Sequence, residues 1–394
     1  MERLVISRLN LAKYLFISCI FASLSLDVFI RIKPEYVGMS VFFKTTIFLL
    51  FIYLSRKWLL KKSSYREFGI ISLLALCLIS LLYTYSSSFP LDSLTRTIKL
   101  LYWVFTIIMF HFMIHFNTLD KASLKKVLIL ALMLMIPATL YLIFFPQVEH
   151  LAQAAGAYPL LWAIYCAVIL LDKKDKLLFI LIVIATLTLF LVVKRGAILC
   201  LLASVCFWFY LYNTKYITAK KLLRTMLIIV GAIFLLLMFF IIRGDVLIER
   251  AADTSGSGRD IMYALIILDY FASGTLEVIF GHGALGVQEF TGKALQIREG
   301  AKYGLQAHSD WLTLLYDFGL LGAIIFASFH VFLIKKIKQI KSINYPIYCR
   351  IMAMYLSLFM VSFFSEIFFS TSLIFLSLYI ALVYSFNPNK RNLL

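Results

Sequence analysis

Charged residues are few in this chain. They make up 15% of its 394 residues, whereas hydrophobic residues make up 62%. Soluble domains average about 25% charged and about 45–50% apolar residues. A water-soluble fold of this size cannot bury so much apolar surface, because a large share of any folded chain still faces solvent. The composition therefore excludes an ordinary soluble protein and indicates a membrane protein.

Patterns typical of metal and disulfide chemistry are also missing. The six cysteines fall almost entirely within apolar runs and form no CxxC or other metal-ligand spacing. The segments expected outside the membrane contain no Asp-x-Asp pair and no cluster of His or Cys with ligand spacing. We therefore expect no disulfide framework, no metal and no other cofactor.

Long apolar runs cover most of the chain. A bilayer core about 30 Å thick requires about 20 apolar residues per helix. With that length the sequence predicts twelve membrane spans, near 12–31, 39–55, 68–84, 97–115, 127–145, 158–171, 177–193, 196–212, 225–242, 312–334, 347–365 and 369–386. Counts of eleven and thirteen stay open, because some runs are barely separated. We predict an all-α polytopic protein with nine spans in 1–242, one large loop at 243–311, and three spans and a tail in 312–394.

The net charge of +18 is explained by membrane topology before a nucleic-acid partner is needed. Cytoplasmic loops of membrane proteins accumulate Lys and Arg. In this chain Lys and Arg concentrate in alternate connecting segments, namely 56–66, 121–126, 173–176, 215–224, 335–341 and 390–391. Two of the segments between them, 85–94 and 146–157, contain neither residue. The pattern predicts an inner-membrane protein with both termini in the cytoplasm, a periplasmic large loop and no nucleic-acid partner.

Two basic residues break this charge pattern on the outer side. Lys194 and Arg195 separate the predicted spans 177–193 and 196–212. An arginine at such a short break is costly unless it has a partner or a function. A simple interfacial anchor is the alternative explanation for Arg195. Six further basic residues lie in the long loop, where a solvated surface is an open explanation because long loops are partly exempt from the charge rule.

The large loop contains local signals for turns and a helix. SGSGRD at 255–260 indicates a flexible turn followed by a helix start at Arg259. Apolar residues then recur at helical spacing, which predicts a helix over 260–271. The glycine-rich segment 281–286 follows, and the loop ends with residues 307–311 at the start of the next span.

Four short motifs together resemble the bacterial O-antigen polymerase (Wzy) and O-antigen ligase superfamily. They are KRGAILC at 194–200, SGSGRD at 255–260, GHGALG at 281–286 and AHSDWLTLLYDFGLLG at 307–322. The resemblance covers about residues 190–325. It implies a GT-C type helical architecture and glycosyl transfer outside the cytoplasmic membrane from a sugar chain linked to undecaprenyl diphosphate.

The resemblance also implies which residues act. Arg195, Arg259 and His308 match the functional positions of the family. Ligases of the family usually have Asn directly after the His, whereas this chain has Ser309. That departure favours a polymerase.

General chemistry supports these three residues independently. Cleaving a sugar from a lipid diphosphate develops negative charge, and the planar guanidinium of Arg binds two phosphate oxygens at once. Arg259 at a helix start would stand beside free backbone N–H groups. His308 titrates in the range needed to accept the proton of an attacking hydroxyl. A solvated helix start for Arg259 and a residue that merely precedes a helix cap for His308 are the open alternatives.

Five more residues complete the predicted substrate site, and four of them have a structural alternative. Lys194 accompanies Arg195. His282 lies between glycines, where a turn residue is the stronger interpretation. Asp310 is explained equally well by its place at a helix start. Tyr303 and Trp311 suit sugar binding, although interfacial aromatic belts use the same residues and are favoured.

Two acidic residues are predicted to lie inside the membrane. They are Asp317, in the span that follows the loop, and Glu366, near the outer end of the next span. Acids in such positions are expensive. We expect each to pair with an arginine on the outer side.

The sequence thus predicts a metal-independent glycosyltransferase, a polymerase that moves a growing glycan from undecaprenyl diphosphate to the next lipid-linked repeat unit. The alternative is a ligase that moves glycan to the lipid A core. A transporter or flippase is less favoured, because no internal repeat relates two halves of the chain. The expected partners are the lipid-linked donor and acceptor, the bilayer and a chain-length regulator protein.

Overall fold

Helices and the turns between them make up the described part of the chain. The computed structural model describes residues 13–15, 17–18, 20–22, 42, 46, 49, 68–84, 90–115, 118–144, 156–192, 194–214, 259–294, 306–367 and 374–386. These ranges contain no β-strand, which confirms the all-helical prediction for them. The predicted spans near 12–31, 39–55 and 225–242 lie largely or wholly outside the described residues.

The helices follow the order of the apolar runs. They are α1 (Phe68–Thr84), α2 (Pro90–His115), α3 (Lys121–Phe144), α4 (Ala157–Leu170), α5 (Lys176–Leu191), α6 (Arg195–Thr214), α7 (Arg259–Ala272), α8 (Thr275–Phe280), α9 (Gly286–Ala294), α10 (Asp310–Ile343), α11 (Tyr345–Phe364) and α12 (Ile374–Ser385). In the described part of the chain, α2, α3, α6, α10 and α11 are long and apolar enough to cross a membrane. The protein is therefore a helical membrane protein, while the twelve-span count and the GT-C arrangement stay predictions.

Among the helix starts, that of α2 differs most from its predicted boundary. The span was expected at 97–115, but the helix begins at Pro90. Proline suits a first helical position because its fixed φ fits the helix and its missing N–H is not needed there. Asp92 in the first turn is favoured by the positive end of the helix dipole. As a result Arg96 lies within the helix and not in a connecting segment.

One large apolar core joins the membrane helices. α10 packs against α1 and α11, α6 packs against α11, and α2 packs against α12. Every described residue of α12 is buried, as expected for a helix that is apolar on all sides. Apolar side chains such as Leu130 and Phe179, 53% and 57% exposed, lie on the outer surfaces of α3 and α5. Such surfaces suit contact with lipid.

The helices of the large loop pack on the beginning of α10. Their contacts form a small second core made of Met262, Ile266, Tyr270, Val287, Ala307, Leu312 and Tyr316. α7 was predicted over 260–271 and is observed over Arg259–Ala272. Short helices were expected in the loop, but the positions of α8 and α9 were not predicted, since neither is long enough to show a clear period.

Candidate active site

The break between α5 and α6 carries the first predicted site residue. α5 ends at Leu191 and α6 begins at Arg195, whose side chain is exposed. The Lys194 ammonium lies 5.7 Å from the centre of the Tyr158 ring. Gly196 permits close packing here, because a Cβ would come within 2.6 Å of the Tyr158 hydroxyl and 2.9 Å of the Phe364 ring. The close packing at Gly196 holds the break against the ends of α4 and α11.

The turn before α10 carries His308. Its φ of +52° is left-handed, a conformation that non-glycine residues rarely adopt. The Tyr263 hydroxyl donates a hydrogen bond of 3.2 Å to the His308 carbonyl. Ser309 then caps α10, since its side chain accepts the Leu312 N–H at 3.3 Å. The turn is thus held by α7 on one side and by its own cap on the other.

The hydrogen bond from Tyr263 to the His308 carbonyl brings the start of α7 close to His308. Arg259 is the first residue of α7, and Tyr263 follows it by four residues. Residues four apart lie on one face of a helix, about 6 Å apart along its axis. Because Tyr263 touches His308, the backbone position of Arg259 lies about one helical turn from that contact.

The end of α11 connects the Arg195 break with the His308 turn. The Phe364 ring, at the end of α11, lies 2.9 Å from the position that a Cβ on Gly196 would take. Just beyond it, the Ile367 N–H donates to Asp310 Oδ2 at 3.2 Å, and the Thr313 hydroxyl donates to Glu366 Oε1 at 2.6 Å. The break, the end of α11 and the start of α10 therefore lie at the same end of the bundle, which we call the His308 end.

A buried ion network lies beneath this surface. Arg96 Nη1 is 3.0 Å from Asp317 Oδ2, and Arg96 Nη2 is 3.8 Å from Glu366 Oε2. The Arg96 and Asp317 side chains are only 9% and 0% exposed. Asp317 Oδ1 also accepts the Val287 N–H at 3.0 Å, at the start of α9. One arginine thus holds α2, α10 and the chain after α11 together.

This network confirms one sequence prediction and completes it. Asp317 and Glu366 were expected to pair with an arginine on the outer side. Both pair with an arginine, and the side of the membrane on which it lies stays a prediction. The partner, Arg96, was not singled out, because the residue was placed at the margin of a span predicted from 97. The available signal was an arginine one residue before an apolar run, which is the kind of position that a longer helix would bury.

Two glycines let the loop cross the broken helix α10. Gly319 has a φ of +66° and interrupts α10, so that the carbonyls of Tyr316 and Asp317 accept the N–H groups of His282 and Gly283 at 3.0 and 2.9 Å. A Cβ on Gly281 would lie 2.4 Å from the Asp317 carbonyl oxygen, and one on Gly319 would lie 2.3 Å from that of Ile279. Only glycine permits these backbones to approach so closely.

His282 is surrounded by protein groups at this crossing. Its ring stacks on Tyr316 with centroids 4.3 Å apart and an interplanar angle of 19°. Its Nε2 lies 3.1 Å from the Ser273 hydroxyl, and the Tyr316 hydroxyl donates to Asp269 Oδ2 at 2.5 Å. These contacts agree with the turn interpretation, and a role of His282 in substrate binding stays a prediction.

The remaining predicted residues occupy different surroundings. Asp310 is fully buried and binds the backbone N–H of Ile367, so it joins α10 to the chain after α11. The Trp311 indole donates to the Ser362 hydroxyl at 2.8 Å and stacks on Phe363. Trp311 therefore faces α11. Tyr303 lies outside the described residues, and the substrate roles of all three stay predictions.

Comparison with known families bears on the same part of the chain. Residues 180–327 match the family model described as O-antigen ligase. The match covers less than half of the chain, and we call the matched residues the O-antigen ligase region after the family's description. A search of curated proteins gives no match to the chain.

The O-antigen ligase region extends from α5 to the middle of α10 and confirms the resemblance to the polymerase and ligase superfamily. Arg195, Arg259 and His308 all fall within it. The family implies a glycosyltransferase-like enzyme that works on lipid-linked glycan in a bacterial membrane. It supports polymerase and ligase activity equally.

Proposed function

We propose that the protein is a surface-polysaccharide polymerase acting at the periplasmic face of the inner membrane. It transfers a growing glycan from undecaprenyl diphosphate to the next lipid-linked repeat unit. The observation that carries this proposal is the meeting of three elements at the His308 end: the Arg195 break, the start of α7 and the His308 turn. All three belong to the O-antigen ligase region.

Each element has a role in the proposed reaction. The acceptor hydroxyl attacks the anomeric carbon, a new C–O bond forms, and the bond from that carbon to the diphosphate oxygen breaks. Arg195, exposed at the membrane surface, binds the leaving diphosphate. Arg259, at the N-terminus of α7, adds positive charge beside free helix N–H groups. His308 accepts the proton of the attacking hydroxyl.

The buried network gives the His308 end a fixed framework. Arg96, Asp317 and Glu366 connect α2, α9, α10 and the chain after α11. A positioned site needs such support, because small misplacements of reacting groups lower rates strongly. The proposed mechanism uses arginines for the charge of the diphosphate and is metal-independent.

A ligase that attaches glycan to the lipid A core is the second candidate, favoured by the description of the matched family. Ser309 supports the polymerase instead, because the ligases that the sequence resembles have Asn at this place. In the structure Ser309 is a helix cap.

Deleting the chain from its host and separating the surface glycan on a gel distinguishes the two. A polymerase leaves a single repeat unit attached to the core and loses the ladder, whereas a ligase loses all attached glycan. An unchanged ladder would exclude both activities.

A further inference from the structure

The loop helix α7 is apolar on two faces. Its inner face packs into the small second core beside α9 and α10. On its outer face Ile261, Leu268 and Phe271 are 61%, 67% and 73% exposed. These positions are seven and three residues apart, so they share one face of the helix. A helix that is apolar all round is normally enclosed on every side, and the outer face of α7 therefore requires a covering other than water.

α8 continues this outer surface. It follows α7 after two residues, and the Tyr270 hydroxyl donates to the Val278 carbonyl at 2.6 Å, which fixes one helix against the other. We call the exposed apolar side chains of the two helices the α7–α8 face: Ile261, Ile267, Leu268, Phe271, Leu276, Ile279 and Phe280. So large a group of exposed apolar side chains marks contact with a membrane or with another protein.

A contact at the end of α1 places α8 beside the membrane helices. The Tyr83 hydroxyl, one residue before α1 ends, donates to the Phe280 carbonyl at 2.5 Å. Leu81 and Leu82 in the same turn of α1 are 47% and 67% exposed. Because α1 is an apolar helix that joins the large core of the membrane helices, these leucines suit contact with lipid. Hydrocarbon would therefore reach the level at which α8 is bonded.

α10 provides a second contact at the same level. The backbone of α8 crosses α10 at Gly319, where a Cβ would lie 2.3 Å from the Ile279 carbonyl oxygen. The turns of α10 that follow expose Leu320, Leu321 and Ile324 at 45%, 36% and 63%, in a helix that is long and apolar enough to cross a membrane. The α7–α8 face thus adjoins the exposed apolar flanks of both α1 and α10.

This continuity favours lipid as the covering. A docking surface for a soluble protein has a polar rim, whereas the α8 end of the face passes into the apolar flanks of α1 and α10. The charged groups nearby are engaged elsewhere. Asp269 Oδ2 accepts the Tyr316 hydroxyl on the inner side of α7, and Glu277 Oε2 accepts the Gly274 N–H at 2.8 Å at the start of α8.

We infer that the α7–α8 face lies within the adjacent leaflet of the bilayer and contacts the hydrocarbon chains of its phospholipids. The large loop is then anchored in the membrane surface along these two helices. Since Tyr263 of α7 bonds to the His308 carbonyl, the anchor also sets the depth of the His308 turn. The inference rests on exposure and contacts and does not depend on the proposed function.

Photocrosslinking tests the inference directly. Benzoylphenylalanine replaces Leu268 or Phe271 in the full-length protein, in nanodiscs of phosphatidylethanolamine and phosphatidylglycerol, and adducts are identified by mass spectrometry. Both positions should give phospholipid adducts within about twofold of the yield at Leu130, an exposed position on the outer surface of α3. Lys174, exposed in the turn between α4 and α5, should give at least about tenfold less.

Two results of this experiment would overturn the inference. Yields at Leu268 and Phe271 as low as the yield at Lys174 would show that water covers the face. Crosslinks to a second copy of the chain, or to another segment of the same chain, in place of phospholipid would show that protein covers it.

Paired substitutions test whether the apolar character of the face holds it in lipid. With benzoylphenylalanine at Leu276, the change Leu268→Glu together with Phe271→Glu should lower phospholipid adducts by about tenfold, because a charge in hydrocarbon is costly. The matched pair Leu268→Met and Phe271→Leu keeps the face apolar and should stay within about twofold of the unsubstituted protein. Equal yields from the two pairs would contradict contact with hydrocarbon.

The adducts are measured without glycan transfer, so the inference and the proposed function fail separately. Phospholipid adducts at Leu268 and Phe271 in a protein that transfers no glycan would support the inference and refute the polymerase. Glycan transfer by a protein that gives no such adducts would refute the inference and leave the polymerase standing.

Discussion

The two ends of the helix bundle carry ion pairs of opposite character. At the end formed by the start of α3 and the α4–α5 turn, Lys125 lies 2.5 Å from both Asp172 and Asp175, and Asp172 is 51% exposed. At the His308 end, Arg96 lies 3.0 Å from Asp317, which is fully buried. The first group of charges is solvated, whereas the second is enclosed by protein.

The difference shows what each set of charges contributes. Exposed pairs typically contribute about 0–1 kcal/mol, because water and salt screen them. A buried pair gains little over an apolar replacement, yet removing one partner costs about 3–5 kcal/mol because a charge is left uncompensated. Charges at the first end agree with the predicted cytoplasmic side, and charges at the His308 end organise the proposed site.

The largest expected effect is on activity at the His308 end. Replacing Arg195, Arg259 or His308 by Ala should lower glycan transfer by about 10²–10⁴-fold, because each removes charge stabilisation or proton transfer. The ladder of surface glycan on a gel measures the loss, and an immunoblot of membranes shows that the protein is present. Lys174→Ala, at an exposed position of the opposite end, is the control. Wild-type ladders in all three variants would refute the site.

The next effect is on stability. Arg96→Gln should lower the free energy of unfolding by about 3–5 kcal/mol, since Asp317 and Glu366 would stay buried without their cation. Unfolding by denaturing detergent measures the change. Lys125→Gln is the matched control at the other end and should cost about 1 kcal/mol or less. Equal losses for the two variants would remove the contrast between the ends.

Coupling within the network gives a related test. Asp317→Asn combined with Arg96→Gln should cost less than the sum of the two single changes, because the residues share one interaction. A double-mutant cycle on the unfolding free energy measures the coupling. Strict additivity would show that the pair contributes nothing specific.

The crossing of the loop over α10 should be sensitive to one methyl group. Gly319→Ala should cost about 1–3 kcal/mol from its left-handed backbone alone, and more from the contact with the Ile279 carbonyl. Gly274→Ala is the control, because Gly274 has a φ of −66° and its Cβ would meet nothing closer than 3.4 Å. Thermal unfolding of both variants measures the difference in stability. Equal unfolding midpoints would contradict the close approach of the loop to α10.

The smallest effect is expected at the solvated end. The Lys125 hydrogen bond holds the pKa of Asp172 below its ordinary value of 3.8. A lowered acid pKa adds stability above the ordinary value, and this contribution is lost as the pH falls through the lowered pKa. Asp172→Asn should therefore cost about 0.2–1 kcal/mol at neutral pH and nothing in strong acid, and less at high salt. A loss that is independent of salt would contradict a solvated pair.

Local patterns predicted the helices well where a single period was clear. The span at 68–84 coincides with α1, and the loop helix expected over 260–271 matches α7. α2 was less well predicted, because Pro90 and Asp92 start a helix whose first turn is polar. Hydropathy does not detect such a turn, so Arg96 was not placed within the helix.

The glycine motif illustrates what local patterns miss. Gly281 and Gly319 lie in different segments, and the sequence analysis noted each only as part of a separate motif. Both glycines permit the same close approach, since a Cβ on either one would meet the backbone of the other segment. Contact between residues so distant in sequence depends on how the loop helices pack on α10, which no local pattern encodes.

Composition and hydropathy alone indicate a helical membrane protein, local motifs resemble the O-antigen ligase family, and acids within apolar spans require an arginine. These follow from local causes, since backbone groups in lipid must bond within a helix and charges there must be paired. The packing of the helices makes Arg96 that arginine and brings the loop across α10 at two glycines. Those features arise from contacts between distant segments, where packing selects one partner among several of the same chemical type.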